Sequence, residues 1–73
     1  MEMSKRIKYW LLDQILEEIH ECSQAIEAHK VLAREARSEE EAQAHYMHIS
    51  DLQDFIVALE SFSSKVRKDE INA

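Results

Sequence analysis

The chain has 73 residues, a formal net charge of −6 and neither glycine nor proline. Hydrophobic residues make up 45% and charged residues 33%, a balance too apolar for a disordered chain and typical of helical bundles. A chain of this length forms one small domain, here 1–73, whose core is marginal without added support. The acidic balance disfavours general nucleic-acid binding.

The cysteine content and the hydropathy of the chain indicate the cellular compartment in which it resides. Cys22 is the single cysteine, and a lone thiol fits a reducing compartment. The longest apolar run, 55–59, has five residues, far fewer than the roughly 20 that cross a bilayer. The chain also lacks the pattern of a secretory signal. We therefore expect a cytoplasmic protein that does not span a membrane.

The first predicted element is a helix over 4–36. Its apolar residues recur in steps of three and four, the spacing of one helix face. In heptad notation the a positions and then the d positions are Leu12, Ile19, Ile26, Ala33 and Ile15, Cys22, His29, Ala36. This pattern predicts a seam that packs against another helix.

The second predicted element is a helix over 39–70. Its a positions and then its d positions are Ala42, Ile49, Ile56, Ser63 and His45, Leu52, Leu59, Val66. The first register places its next a position at 40, whereas the second seam has it at 42. Continuous coiled coils absorb shifts of three or four residues, so this shift of two predicts a break between Ala36 and Ala42.

The residues around the break support a turn. Ser38 followed by Glu39, Glu40 and Glu41 has the form of a capping box, with three carboxylates in a first turn where the helix dipole is positive. A helix is therefore predicted to begin at Glu39. Because no glycine is present, an ordinary residue must make the turn, and one long helix is the alternative.

These elements predict an all-α fold, an antiparallel two-helix hairpin. Apolar residues also occupy positions e and g, which flank the seam: Leu11, Leu16, Leu32, Tyr46, Phe55 and Phe62. One partner helix cannot bury so wide a stripe. We therefore expect the hairpin to complete a four-helix bundle, either as a homodimer or with another protein.

Histidines cluster near the predicted turn. An antiparallel hairpin brings His29 opposite His45, while Glu41, His45 and His48 share one helix face. Imidazoles and a carboxylate at this spacing are candidate ligands for zinc or another divalent ion. The alternative is a set of partly buried, hydrogen-bonded histidines. Two facing histidines would repel each other once both are protonated, which predicts loosening of the turn end near pH 6. The alternative is that both side chains turn out to water.

The predicted partner-binding residues fall into two groups. The second helix supplies an apolar grip from Leu52, Phe55, Ile56, Leu59 and Phe62. The open end of the hairpin supplies an aromatic and basic patch from Ile7, Trp10, Lys5, Arg6 and Lys8. Exposed tryptophan and arginine are common anchors in interfaces. The alternatives are burial of the tryptophan within the bundle and an ordinary solvated charge cluster.

Catalytic patterns are missing from the sequence. The serines at 61, 63 and 64 have no evident base, Cys22 lies in the seam, and no glycine-rich loop can cradle a phosphate. We expect no enzyme and no cofactor. The leading hypothesis is an adaptor, chaperone or inhibitor that binds itself or a partner helix. The alternatives are a metal-responsive protein and a nucleic-acid binder that uses the basic end.

Three families of small helical hairpins are similar in outline. The segment "LQDFIVALESF", 52–62, is compatible with the second helix of type III secretion co-chaperones, a resemblance that implies a grip on a partner protein. The repressor-of-primer type pairs two hairpins and binds RNA loops, whereas this chain has an acidic middle. The segment "SDLQD", 50–54, departs at three positions from the S-Q-E-L-D of small aspartyl-phosphate phosphatases.

Overall fold

The computed structural model describes residues 4–68, which form two helices and no strand. Helix α1 spans Lys5–Arg34 and helix α2 spans Glu39–Arg67. The two helices pack against each other as an all-α hairpin with extents of 52 × 17 × 13 Å. Within 4–68, neither helix is long and apolar enough to cross a membrane.

The helix boundaries agree closely with the expected ones. Ser4 is the N-cap of α1, and its hydroxyl accepts a hydrogen bond from the Ile7 N–H at 3.3 Å. Helix α1 ends at Arg34, two residues before the predicted end at 36, while α2 begins at Glu39 as predicted. The predicted last residues of the second helix, 69–70, lie outside the described residues.

The turn is built by reciprocal capping at the start of α2. The Ser38 hydroxyl accepts from the Glu41 N–H at 3.1 Å, and Glu41 Oε2 accepts from the Arg37 N–H at 3.1 Å. In a capping box the carboxylate bonds to the N-cap residue's own N–H; here it bonds to the preceding one. This pair satisfies two backbone donors on one side of the turn. The chain therefore forms the predicted hairpin and not the alternative, one long helix.

The end of α1 shows how the turn forms without glycine. Glu35, the C-cap, has φ −93° and ψ 2°, in the bridge region at negative φ, where glycine is not required. Its N–H donates to the Val31 carbonyl at 3.1 Å, and the Ala36 N–H donates to the Ala33 carbonyl at 3.3 Å. The second bond spans three residues, so the last turn of α1 tightens toward a 3₁₀ turn where the helix ends.

The seam is confirmed in both helices. Each of the sixteen predicted a and d positions is buried or half-buried, so the heptad register is correct throughout. The buried apolar core among the described residues is nevertheless small, and consists of Ile15, Cys22, Ile26, Ala33, Ile49 and Val66. Ser63 interrupts it, because its hydroxyl is buried and has no hydrogen-bond partner among the described residues.

We predict that Ser38→Ala lowers the free energy of unfolding by about 1 kcal/mol, because the Glu41 N–H loses its side-chain acceptor. Chemical denaturation at one fixed protein concentration measures the change. Ser61→Ala is the control, since Ser61 is exposed within α2 and alanine has the higher helix propensity there. Equal effects of the two substitutions would show that the cap does not stabilise the turn.

Candidate interaction surface

The hairpin has two broad faces, one on each side of the plane through its helix axes. Antiparallel packing places the e positions of both helices on one face and the g positions on the other. The e face carries two shallow pockets. One is lined by Lys30, Arg34 and Tyr46, the other by Leu16, Ile19, Glu60, Ser63 and Arg67. Charged side chains therefore interrupt the apolar residues of the e face.

The opposite broad face, here called the apolar face, carries the g positions. Its apolar members are Leu11, Ala25, Leu32, Phe55 and Phe62. Phe55 and Leu32 are each 46% exposed and Phe62 is 40% exposed, while the other two are half-buried. Its three polar members are Glu18, Glu41 and His48. The flanking stripe that the sequence predicts is therefore more continuous on this face than on the other.

Exposed apolar side chains outnumber buried ones. Among the described residues six apolar side chains are buried, whereas eleven large ones are at least 40% exposed. The exposed set comprises Ile7, Tyr9, Trp10, Leu16, Val31, Leu32, Tyr46, Met47, Phe55, Val57 and Phe62. Isolated exposed apolar residues are normal, but a row of them along one face typically marks an interface.

The five apolar residues of α2 that were predicted to bind a partner fall into two groups in the structure. Leu52, Ile56 and Leu59 are half-buried seam residues, so their side chains already face α1. Phe55 and Phe62 are exposed and remain available to another molecule. The sequence grouped all five because they are apolar, although the heptad separates seam positions from flanking ones. Their binding role remains a prediction.

The open end of the hairpin also exposes apolar surface. Trp10 is 59% exposed and Ile7 is 53% exposed, so neither is packed into the seam. Lys5 and Arg6 are exposed, whereas Lys8 is half-buried. The hairpin by itself therefore leaves most of Trp10 exposed, and burial of Trp10 against another subunit of the bundle remains a prediction. Docking of a partner at this end remains a prediction.

The histidines meet near the turn as expected from the antiparallel pairing. The Nδ1 atoms of His29 and His45 lie 2.9 Å apart, a hydrogen bond in which one ring donates and the other accepts. The ring of His48 stacks on that of His29, with centroids 5.0 Å apart and an angle of 17° between the planes. These contacts bridge α1 and α2 on the side of the apolar face.

The proposed metal ligands are only partly brought together. Glu41 is exposed, and one of its carboxylate oxygens accepts from the Arg37 N–H. His48 presents the flat of its ring to His29 instead of a nitrogen. Within 4–68, no group of three or more histidine, cysteine, aspartate or glutamate side chains is arranged to hold a metal ion. Metal binding by His29, Glu41, His45 and His48 remains a prediction.

Cys22 is a core residue in the structure. Only 5% of it is exposed, and its thiol lies 4.0 Å from Glu18 Oε1. Burial raises the pKa of the Cys22 thiol, and the charges of Glu18 and Glu21 raise it further. Both causes disfavour the reactive thiolate, which fits the packing role predicted for this residue.

Comparisons with protein-family models, with curated proteins and with solved structures find no match for this chain. A proposal for its function therefore depends on the faces, charges and contacts of the hairpin itself.

Proposed function

We propose that this chain is a non-enzymatic protein–protein interaction module that works as a small adaptor, chaperone or inhibitor. It binds another polypeptide, either a second copy or a partner helix, through the apolar face. The observation that supports this most directly is the exposure of Leu32, Phe55 and Phe62 on one face beside a small core. Exposing these side chains to water costs free energy, and a helix bound to the face removes that cost.

The magnitudes indicate how much of the face must take part. Burying a leucine or phenylalanine side chain stabilises by about 2 kcal/mol, whereas association costs about 4 kcal/mol or more in lost freedom of motion. Burial of the three most exposed apolar side chains of the face would by itself give weak binding. Leu52 and Leu59, half-buried at adjoining d positions, gain further burial when a helix covers the face. The seam residues of the predicted partner-binding set thus add to the binding free energy as well.

The remaining parts of the proposal follow from the side chains available. Cys22, buried and with a raised pKa, is unsuited to nucleophilic catalysis. A single reduced thiol also supports cytoplasmic residence. Trp10, Lys5 and Arg6 at the open end would provide a second contact with an acidic partner.

A metal-responsive role is the second candidate. The 2.9 Å between the Nδ1 atoms of His29 and His45 is close to the roughly 3.3 Å that separates two nitrogen ligands of tetrahedral zinc. A metal would need His48 or Glu41 to turn inward as a further ligand. Zinc titration tests this role, because a zinc-dependent rise in melting temperature that His45→Ala abolishes would support it and no rise would exclude it.

Photo-crosslinking at two nearby positions tests the proposed function. Phe55 lies on the apolar face, whereas Val57, 65% exposed, points away from both the seam and that face. We expect benzoylphenylalanine at position 55 to form an adduct with another polypeptide, and position 57 to give only background. Adducts are measured by mass spectrometry in the producing cells and with the purified chain. Equal yields at both positions, or none at either, would contradict the proposal.

A further inference from the structure

We infer that the polypeptide on the apolar face is a second copy of this chain, bound head to tail. The turn end of each hairpin then lies over the open end of the other, and the four helices form one bundle. This inference rests on the proposed function and names its partner and orientation. Three features of the described residues carry it: the charges at the two ends, the side chains along the face and the size of the face.

The two ends of the hairpin carry opposite charge. The open end, 4–8 and 64–68, contains six basic residues and no acidic one: Lys5, Arg6, Lys8, Lys65, Arg67 and Lys68. With the terminal residues included, 1–8 carries +2 and 65–73 carries +1. The turn end, 34–41, contains four glutamates and two arginines and carries −2. The two ends therefore differ in sign, while the residues between them, 9–33 and 42–64, carry −7 in either orientation of a pair.

These end charges distinguish the two possible orientations. If the two copies pack face to face with their turns at the same end, each basic end lies on a basic end and each acidic end on an acidic end. Head-to-tail copies place each basic end on an acidic end, which is favourable at both ends of the bundle. Cations of the open end, such as Lys5 and Lys68, then lie near Glu35 and Glu39 of the second copy. Charge complementarity thus selects the head-to-tail arrangement.

The side chains along the apolar face favour the same orientation. Counted from the open end, its four layers contain Leu11 with Phe62, Glu18 with Phe55, Ala25 with His48, and Leu32 with Glu41. The second layer is bulky and acidic, whereas the third pairs the smallest side chain with an imidazole.

Head-to-tail pairing sets the second layer of one copy against the third layer of the other. The twofold axis sets α1 over α1 and α2 over α2, so Phe55 lies over His48 of the second copy and Glu18 lies over Ala25 of the second copy. Each of these shared layers then holds one phenyl ring, one carboxylate, one imidazole and one small side chain. Copies with their turns at the same end would put two Glu18 carboxylates and two Phe55 rings into one layer. Bulk and charge are therefore both better distributed in the head-to-tail pair.

The size of the face suits a pair of identical hairpins. A broad side of 52 × 17 Å covers about 900 Å², comparable to the roughly 800 Å² per partner of stable interfaces. A second hairpin of equal length matches the whole face, whereas a single partner helix would cover only about half its width. Like faces related by a twofold axis are also the commonest form of homodimer.

Sedimentation of the purified chain at micromolar concentration tests the identity of the partner. We expect a dimer for the unmodified chain, a monomer for Phe55→Glu and a dimer for Val57→Glu. The two substitutions add the same charge two residues apart on one helix, and circular dichroism checks that both variants stay helical. A monomeric, helical wild-type chain would overturn the inference. If position 55 still crosslinked to a different protein in cells, the proposed function would stand without it.

A distance measurement tests the orientation. A spin label is attached at Arg37→Cys, an exposed turn position, in a Cys22→Ala background that removes the native thiol. Head-to-tail copies separate the two labels by about 40 Å along the bundle, since each residue of helix spans 1.5 Å. Copies with their turns together would hold the labels within about 25 Å. A single short distance would overturn the head-to-tail arrangement even if the dimer exists.

Discussion

The structure depends on a seam that is only two residues wide. Side chains at a and d of α1 meet those of α2, and every one of these positions is buried or half-buried. Two helices, however, enclose the seam from two sides only, so its layers stay open above and below the plane of the hairpin. This explains why Val66 is the one fully buried large side chain among the described residues. The proposed association follows from this geometry, because a second molecule is what can close the open side.

The turn lies where the heptad register of the sequence shifts by two residues. A shift of two residues cannot continue one coiled coil, and Ser38 with Glu41 provides the bonds that restart the helix. The start of α2 could be predicted from the sequence because capping depends on residues next to each other in the chain. The end of α1 was harder to predict, since Glu35 and Ala36 are residue types that also occur inside helices. The shortfall of two residues there is of the size by which helix ends ordinarily vary.

The meeting of His29 with His45 could also be predicted, because antiparallel pairing fixes which residues lie opposite each other. The orientation of the rings could not, since it depends on side-chain rotamers and on which nitrogen carries hydrogen. The same limit applies to the grip of α2: apolar character alone could not separate Phe55, which is exposed, from Ile56, which is half-buried. The difference between the two broad faces needed the heptad positions of both helices to be read together.

If one hairpin buries too little apolar surface to be stable alone, its melting temperature must depend on protein concentration. Circular dichroism follows unfolding from submicromolar to hundreds of micromolar chain. We expect a melting temperature that rises steadily with concentration, as mass action requires when folding and association are coupled. A high melting temperature that is the same at every concentration would contradict it.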